Sequence, residues 1–416
     1  MAAVWHARPG AHGPRSARRS CSYESYVPDS LLGRELSLPA AIAADVSDAE
    51  TALVAVDRAP RVDRLSSLSR FLLRAEAIGS SKIEGLTVSS RRLARHEAKS
   101  LMGIHDRDAT AHAVLGNVAA MRLAVDTTAA KSQVTVDDLI DLHERLLRDE
   151  APDIAGRVRD QQNWIGGSDW NPCRASFVPP PPDEVHRLLE DLCGFVTGDD
   201  VSPLLQAAVA HAQFETIHPF ADGNGRTGRA LIHVVLRRRG LTRSLVAPIS
   251  PVLAVTAARY LQGLTAFRYD GEADGEQAHV GLATWVETFA VASRRAAADA
   301  ESLATQLDAL EESWVERVAA RRGSAAAALL PELAATPVVT AVNVQRLTGA
   351  SRSAAFAALD QLAAAGVLRQ LGNGQRDRLF EAREVFSVLT DHERATATAS
   401  GDTRQERPQR PVPDRD

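Results

Sequence analysis

Twelve consecutive residues, 218–229, restrict this chain more than any other stretch. They read His-Pro-Phe-Ala-Asp-Gly-Asn-Gly-Arg-Thr-Gly-Arg, and so combine an imidazole, a carboxylate, a carboxamide, three glycines and two guanidinium groups. Residues 204–217 before them lack glycine and are apolar at near-helical spacing, and residues 230–239 after them show the same pattern. The sequence therefore predicts two helices joined by a compact loop, with the second helix beginning near Asn224 or Gly225.

The side chains of this loop are those of a phosphate site with a base beside it. Glycines let backbone N–H groups approach an anion, and a helix N-terminus adds donors and a favourable dipole. Arg226 and Arg229 are three residues apart, so both can point at one phosphate chain. Asp222 offers the hard oxygen that Mg²⁺ takes together with substrate phosphates. His218 titrates near neutrality, which suits a general base acting on a hydroxyl.

Two other interpretations of the same letters stay open. Gly223-x-Gly225-x-x-Gly228 matches the dinucleotide fingerprint, which expects a strand before it and an acid about twenty residues later. Here a helical pattern precedes it, and no Asp or Glu occurs between positions 222 and 270. The second interpretation is a structural glycine-rich loop with a capping aspartate and solvated arginines. That accounts for any two of these residues, but not for all of them together.

The twelve residues resemble, letter for letter, the signature of the Fic family, His-Pro-Phe-x-(Asp/Glu)-Gly-Asn-Gly-Arg-x-x-Arg. The resemblance implies a protein adenylyltransferase, which moves AMP from ATP onto a Ser, Thr or Tyr hydroxyl of a protein, including itself. It also implies His218 as the catalytic base and Asp222 as the ligand of Mg²⁺. The ATP-binding residues that it implies are Gly223, Asn224, Gly225, Arg226, Thr227, Gly228 and Arg229, together with Thr256 later in the chain.

A second segment, Ser80 to Gly85, gains meaning beside that signature. Ser80 and Glu84 are one helical turn apart, and Gly85 can end the helix. On its own, a Glu before such a glycine is typical of a solvated surface. The segment resembles the inhibitory motif of the family, (Ser/Thr)-x-x-x-Glu-(Gly/Asn), which implies that Glu84 pairs with Arg229 and keeps it from the γ-phosphate. Because it precedes the signature, the chain resembles the subclass with an N-terminal inhibitory helix.

Between the two motifs, residues 162–178 predict a β-hairpin flap that is followed by four prolines, which cannot continue a ladder. An ordinary connecting hairpin is the alternative. Residues 159–166, Arg-x-Gln-x-x-Trp-Ile-Gly, resemble the flaps of Fic proteins, and this favours a flap that docks the protein substrate by main-chain pairing.

Residues 250–267 predict one helix after the signature. In Fic proteins of this type that helix lines the adenine side of the cleft, and the family often has an Asn near the position that aligns with Thr256. This chain departs from the family there. Tyr260 is predicted as a core or rim aromatic rather than a residue that stacks on the base.

Residues 336–390 predict a separate winged helix-turn-helix unit, with Ser351 as the N-cap of its second helix. Arg352, Arg376 and Arg378 are its candidate contacts to DNA phosphates. The second helix is otherwise rich in alanine and offers few side chains that read bases. DNA is therefore the less favoured partner, and such modules also bind proteins.

Length, charge and composition restrict the classes of protein to which this chain can belong. A chain of 416 residues suits two or three domains, and a net charge of −5 argues against general affinity for nucleic acid. No apolar run approaches a membrane span, and no apolar segment of a secretory signal follows the N-terminal arginines. The cysteines, Cys21, Cys173 and Cys193, have no CxxC spacing, so they predict neither a disulfide framework nor a zinc site and fit a reducing cytoplasm.

The predicted fold class is mainly α, a Fic-type helical domain with a short β-hairpin flap followed by a winged helix-turn-helix domain. A seam of large apolar residues from Leu303 to Trp314 predicts packing against a neighbouring helix, with a homodimer as the alternative. The predicted divisions are a disordered tail (1–28), an N-terminal helical region with the inhibitory helix (29–120), the Fic catalytic core (121–280), connecting helices (281–335), the winged helix (336–390) and a second disordered tail (391–416).

Two other functions remain open. One is an ATP-sensing, DNA-binding regulator that acts through the winged helix. The other is a Fic transferase that uses UTP or another phosphate-containing donor.

Overall fold

The computed structural model describes residues 1–6, 20–59, 67–104, 107–372 and 378–397, and the chain divides into two compact units. The first unit comprises residues 1–46, 122–239 and 259–289, and the second comprises residues 47–121, 240–258 and 290–416. The helices are α1 (Ala40–Asp57), α2 (Leu68–Ile83), α3 (Ser90–Leu101), α4 (Ala109–Asp126), α5 (Val136–Leu147), α6 (Pro182–Thr197), α7 (Pro203–Ile217), α8 (Asn224–Arg238), α9 (Ile249–Val255), α10 (Ala257–Phe267), α11 (Glu276–Val318), α12 (Ala325–Leu329), α13 (Ala341–Thr348), α14 (Arg352–Ala364) and α15 (Arg383–Ala395). The strands are β1 (Ala2–Trp5), β2 (Cys21–Glu24), β3 (Val338–Val339), β4 (Arg369–Leu371) and β5 (Leu379–Glu381). The predicted class, mainly α, is confirmed.

Helices α7 and α8 form the centre of the first unit. Every residue of α7 from Leu204 to Ile217 is buried, and so are the residues of α8 from Asn224 to Leu236 apart from Gly225. A helix that is buried on all sides needs no polar face, and most residues of α7 are apolar. The predicted pair of helices, with the second beginning at Asn224, is confirmed.

Two helix starts are set by capping residues. At the start of α5, the Thr135 hydroxyl accepts from the Asp138 N–H and the Asp138 carboxylate accepts from the Thr135 N–H, which makes a capping box. At the start of α14, the Ser351 hydroxyl accepts from the Ala354 N–H at 3.3 Å. The Ser351 cap lies where the sequence predicts it.

The helix predicted over residues 250–267 is wrong in one respect, because the chain forms two helices with a break at Thr256. The Thr256 hydroxyl donates back to the Val252 carbonyl at 3.0 Å. A hydroxyl that bonds its own preceding turn competes with the helix ladder. No Gly or Pro marks the break, so the sequence offers no strong signal for it.

The prediction of a disordered tail over residues 1–28 is wrong for the described part of that range. Strands β1 and β2 pair antiparallel, from Ala2 opposite Glu24 to Trp5 opposite Cys21. A disulfide joins Cys21 to Cys173, so the prediction of no disulfide is also wrong, and the cysteine argument for a reducing cytoplasm loses its basis. The two cysteines are 152 residues apart in sequence, so no local spacing could reveal the pair. Cys193 is free and buried.

The predicted flap is a loop with isolated antiparallel bridges rather than regular strands. Ile165 pairs with Phe177, and Ser168 pairs with Asn171. The Ile165 N–H donates to the Phe177 carbonyl at 2.8 Å, and the Ser176 N–H donates to the Ile165 carbonyl at 2.8 Å. One closed ring of hydrogen bonds therefore holds the base of the flap.

The C-terminal part of the second unit has the element order of the predicted winged helix-turn-helix. Helices α13 and α14 follow β3, and the strands form an antiparallel sheet of order β3-β5-β4. Helix α15 then continues through residue 395, so the tail predicted from residue 391 is wrong for residues 391–395. Residues 398–416 of that tail, and Arg376 in the predicted wing, lie outside the described residues.

Along α11, Leu303, Leu307 and Trp314 are buried within the chain, as packing against a neighbouring helix predicts. The homodimer stays a prediction. Within the described residues, no helix has both the length and the apolar character that crossing a bilayer requires.

Candidate functional site

Helix α7 ends at His218, whose backbone is left-handed, with φ 49° and ψ 60°. For a residue with a Cβ this conformation costs about 1–2 kcal/mol, and it persists only where surrounding contacts impose it. The His218 N–H still donates to the Phe214 carbonyl at 2.9 Å, so the last helical turn is complete before the chain reverses. The reversal leaves the imidazole at the start of the loop, with the side chain 19% exposed.

The buried guanidinium of Arg159 holds that reversal in place. Its Nε donates to the His218 carbonyl at 2.9 Å, and its Nη2 donates to the carbonyls of Pro180 at 2.6 Å and Ile217 at 3.4 Å. The Arg159 backbone N–H donates to the Pro219 carbonyl at 2.9 Å. Burial lowers the pKa of Arg159 to about 10, so the side chain stays charged at neutral pH. The sequence singles out Arg159 only as a letter of the flap pattern.

Two carboxamides hold the middle of the loop. Asn163 donates through Nδ2 to the carbonyls of His218 at 3.3 Å and Phe220 at 3.1 Å. Asn224 accepts through Oδ1 from the Phe220 N–H at 2.8 Å and donates through Nδ2 to the Phe220 carbonyl at 2.8 Å. The Asn224 side chain is thus committed to shaping the loop, although it was predicted only as a phosphate contact.

His143, on α5, supports the loop from beneath. Its Nδ1 accepts from the Gly156 N–H at 3.0 Å, so the ring proton lies on Nε2, which donates to the Asp222 carbonyl at 2.9 Å. The ring stacks on Phe220 with centroids 3.8 Å apart. Burial lowers the pKa of His143 to about 4, so the ring is neutral at pH 7. The sequence does not reveal this residue, because a histidine at helical spacing resembles an ordinary core position.

The glycines of the loop have separate roles. Gly223 has φ +75°, a value that favours glycine, and precedes the first turn of α8. A Cβ on Gly228 would lie 2.8 Å from Glu215 Oε1 and 2.9 Å from Phe214 Cδ1, so this glycine allows α7 and α8 to approach closely. The Thr227 hydroxyl donates to the Gly223 carbonyl at 3.0 Å. For Thr227 and Gly228 the contacts shown are thus within the fold, and their contact with ATP stays a prediction.

The two arginines of the motif are both buried. Arg226 forms an ion pair through Nη1 with the Glu150 carboxylate at 2.7 Å. Arg229 is 1% exposed. Nearby, His211 Nε2 lies 2.8 Å from the Tyr260 hydroxyl, and burial, with the charge of Arg229 added, lowers the pKa of His211 to about 3. Tyr260 is buried, so its prediction as a core aromatic is confirmed.

Two carboxylates belong to the site, one in the loop and one in the last turn of α7. Asp222 is exposed, and its Oδ1 accepts from the Gly223 N–H at 2.6 Å. Glu215, which the sequence argument did not use, is buried with Oε2 4.0 Å from His218 Nδ1. The described residues include no group of three or more His, Cys, Asp or Glu that could enclose a metal ion. Mg²⁺ does not need such a cage, because one carboxylate with substrate phosphates and water suffices, and the exposed Asp222 beside a helix N-terminus fits that set.

Two family models match parts of this chain. Residues 133–236 match the family model described as Fic/DOC family, and residues 43–126 match the one described as Fic/DOC family N-terminal. The chain carries a Fic/DOC domain. A crystal structure of a Fic family protein from Desulfovibrio desulfuricans G20 has the same fold, with a TM-score of 0.52 and 20% identity over 83% of this chain and 97% of that one.

Curated relatives of the Fic/DOC domain carry a named activity. Protein adenylyltransferase fic-1 of Caenorhabditis elegans is 32% identical over 132 residues, which are 30% of this chain and 24% of that protein. Protein adenylyltransferase Fic of Nematostella vectensis is 31% identical over 166 residues, which are 39% of this chain and 36% of that protein. The matches thus span only about a quarter to a third of these relatives.

The predicted inhibitory segment ends α2 in the second unit. The Leu86 N–H donates to the Ser81 carbonyl and the Gly85 N–H to the Lys82 carbonyl, both at 3.0 Å, and Gly85 has φ +80°. This is a Schellman turn, so the prediction that Gly85 ends the helix is confirmed. Glu84 is the C-cap residue of the helix.

The predicted site residues are divided between the two units. His218, Asp222 and the residues of 223–229 lie together in the first unit. Ser80 is buried and Glu84 exposed, and they belong, with Gly85 and the exposed Thr256, to the second unit. The proposed pairing of Glu84 with Arg229 and the proposed adenine contact at Thr256 stay predictions.

Helix α2 is anchored at its middle. The buried Glu76 carboxylate accepts from the Ser250 N–H at 2.8 Å and from the Ser250 hydroxyl. Asn117 donates through Nδ2 to the Ala77 carbonyl at 2.9 Å and to the Ser81 hydroxyl at 3.0 Å. These contacts fix the body of the helix that ends at Glu84.

Proposed function

We propose that this chain is a Mg²⁺-dependent protein adenylyltransferase that transfers AMP from ATP to a Ser, Thr or Tyr hydroxyl of a protein, including itself, and that Glu84 restrains it. The observation that carries the proposal is the fixed position of His218 beside the N-terminus of α8. A base, an anion-binding helix end and an exposed carboxylate lie within one short loop. The names of the curated relatives support the same reaction.

In the proposed reaction His218 accepts the proton of the acceptor hydroxyl. The hydroxyl oxygen attacks the α-phosphorus of ATP, the bond from that phosphorus to the bridging oxygen breaks, and pyrophosphate leaves with the electron pair. The N–H groups at the start of α8 bind the phosphate oxygens as preorganised donors. Asp222 would hold Mg²⁺, which when bound offsets the charge of the phosphates.

The two arginines then have rival anionic partners. Arg226 is paired with Glu150, and a phosphate chain would compete with that carboxylate. Arg229 is proposed to take the γ-phosphate whenever Glu84 does not hold it. With Arg229 occupied, ATP binds with its triphosphate displaced, and a displacement of about 1 Å costs on the order of a hundredfold in rate.

The flap, residues 162–178, is the proposed docking edge for the protein substrate. Ile165 and Trp170 are exposed large apolar side chains on it, at 37% and 47%. A segment of the substrate that pairs with the flap backbone would be held in extended form near His218. Because the donor is ATP, we place the activity in the cytoplasm.

The alternative function, a DNA-binding regulator that acts through residues 336–390, gains no support from the described contacts. Of the predicted phosphate contacts, Arg378 pairs with Asp360 at 2.6 Å and donates to Gln370. Arg352 lies over the ring of Phe356 in its own helix. DNA binding therefore stays the less favoured alternative.

Labelled nucleotides test the proposed function. Wild-type protein, Glu84→Gly and the double variant Glu84→Gly/His218→Ala are incubated with a cell lysate, Mg²⁺ and ATP labelled at either the α- or the γ-phosphate. We expect protein labelling above the background of the lysate alone from α-labelled ATP only, stronger for Glu84→Gly than for the wild type and reduced to near that background by His218→Ala, while ATP binding by the double variant persists. His218→Ala removes a general base, so the loss is about 10²- to 10⁴-fold.

Other outcomes identify other functions. Labelling from γ-labelled ATP would mean phosphoryl transfer, and stronger labelling from α-labelled UTP would mean a different donor. Loss of ATP binding on His218→Ala would show that the imidazole has a structural role.

A further inference from the structure

The second unit contains a cavity of about 470 Å³ beside α2. Its walls come from α2, the loop to α3 and the start of α3, the region of α9, the middle of α11 and the C-terminal helix α15. Small-molecule sites in proteins are typically concave and roughly 300–1,000 Å³ in volume. By volume this cavity falls in that class, and none of residues 218–229 lines it.

The lining is mainly apolar with a surplus of positive charge. The apolar walls are formed chiefly by Phe71, Ile78, Leu86, Val88, Pro251 and Leu389. Arg74, Lys82 and Arg92 also line the cavity, and Glu393 is the one carboxylate in the lining. Arg74 forms an ion pair with Glu97, which lies outside the lining. Arg92 is paired with Asp108 outside the lining, but its side chain is 56% exposed, so that pair contributes little and yields easily.

The cavity touches the inhibitory segment on both of its sides. Lys82 lies two residues before Glu84 and Leu86 two residues after it, and both line the cavity. Gly79, a turn earlier in α2, packs so closely on α9 that a Cβ would lie 2.6 Å from Pro251. An occupant would therefore be in contact with the turn that carries Glu84 while the body of α2 stays anchored on α9.

We propose that this cavity is a regulatory site for a small, largely apolar ligand with one anionic group, and that its occupation moves the turn at Glu84 and releases the enzyme. A ligand shifts an equilibrium only by its difference in affinity for the two states. Contact with Lys82 and Leu86 supplies that difference, since both residues move with the turn. The regulatory part rests on the proposed function, and the binding part does not.

Binding is tested first, on the full chain, with 8-anilinonaphthalene-1-sulfonate as the probe. N-phenyl-1-naphthylamine has the same rings without the sulfonate and serves as the neutral control. We expect saturable fluorescence from one sulfonate probe per chain, with at least tenfold weaker binding of the neutral probe. Arg92→Gln should weaken the sulfonate probe severalfold and leave the neutral probe unchanged. Equal affinity of the two probes would overturn the anionic class.

Filling the cavity locates the site. Ala75 lines the cavity and Ala298 is exposed on α11, so Ala75→Trp should abolish binding of the sulfonate probe and Ala298→Trp should leave it unchanged. Val88→Trp, in the loop after α2, fills the same space and replaces Ala75→Trp if that variant does not fold. Unchanged binding in a folded filling variant would show that the probe binds elsewhere and would overturn the site.

Regulation is tested by AMP transfer with and without saturating sulfonate probe. We expect transfer to rise about fivefold in the wild type, within the usual range of allosteric coupling, and to stay constant in Glu84→Gly. An equal change in both proteins would show that the probe does not act through Glu84. If Glu84→Gly transfers no AMP at all, the proposed function fails, while the binding experiments still decide the site.

Discussion

Two helix ends in this chain use the same backbone conformation in opposite ways. Helix α7 ends at His218 with φ 49°, and α2 ends at Gly85 with φ +80°. The histidine has a Cβ and therefore carries strain, and Arg159 and Asn163 donate five hydrogen bonds to the backbone carbonyls of residues 217–220. Glycine carries no such strain, and a Cβ added to Gly85 would meet no atom within 4 Å.

This difference in backbone strain parallels a difference in the proposed roles of the two helix ends. The strained end is fixed by buried side chains, and it carries the proposed base. The unstrained end can change shape without releasing stored energy, and it carries the proposed inhibitory carboxylate. The rigid catalytic turn and the adjustable inhibitory turn therefore use the same kind of left-handed helix end.

The largest effect should come from removing the support of the strained end. We expect Arg159→Met to lower AMP transfer about a hundredfold, because the imidazole of His218 is then displaced by about 1 Å. The affinity for ATP should stay the same. Kinetic constants and a nucleotide-binding titration measure the two effects separately. Arg157→Met, two residues earlier and exposed, is the matched control and should change neither. An Arg159→Met enzyme with normal turnover would remove the contrast between the two helix ends.

A smaller effect is expected at the adjustable end. Glu84→Gln keeps the size of the side chain and removes its charge, so it should raise AMP transfer about tenfold if the restraint is an ion pair. Because Glu84 is exposed, the free energy of unfolding should change by no more than about 0.5 kcal/mol. Labelling rates and urea denaturation provide the two readings. Activation by Glu84→Gly but not by Glu84→Gln would mean that bulk rather than charge restrains the enzyme.

The third effect is on stability rather than on the rate of AMP transfer, and it concerns His211 in α7. In the folded state the pKa of His211 is lowered from 6.5 to about 3, by burial first and then by the charge of Arg229. Below pH 6.5 the unfolded chain binds a proton there that the folded chain does not, so the stability that neutral His211 provides is lost as the pH falls from 6.5 toward 3. Between pH 7 and pH 5 the wild type should lose about 2 kcal/mol more than His211→Gln.

Urea denaturation at the two pH values measures that difference. His186→Gln is the control, since the side chain of His186 is 68% exposed. Equal slopes for the wild type and His211→Gln would show that His211 is not a buried neutral group.

Much of this structure could be predicted from local patterns in the sequence. Thr135, Ser351 and Gly85 begin or end their helices through contacts with residues at most five positions away, so their effect is readable in order along the chain. The loop at 218–229 could be predicted equally well, because its characteristic residues lie within twelve consecutive positions. What the sequence did not reveal depends on contacts between distant segments.

Arg159, His143 and Glu150 are the clearest cases. They act on residues 59, 79 and 76 positions away, and nothing in their own neighbourhood distinguishes them from a surface arginine, a core histidine or a solvated acid. The disulfide from Cys21 to Cys173 was missed for the same reason. The break at Thr256 was missed because neither a glycine nor a proline marks it.

The left-handed His218 limits how this loop can be transplanted. A designer who grafts residues 218–229 between two other helices would copy the imidazole but not the hydrogen bonds that oppose its backbone strain. The graft would relax at position 218, and the base would point elsewhere. The smallest portable unit is thus discontinuous, and it includes the segment of Arg159 and Asn163 as well as the loop itself.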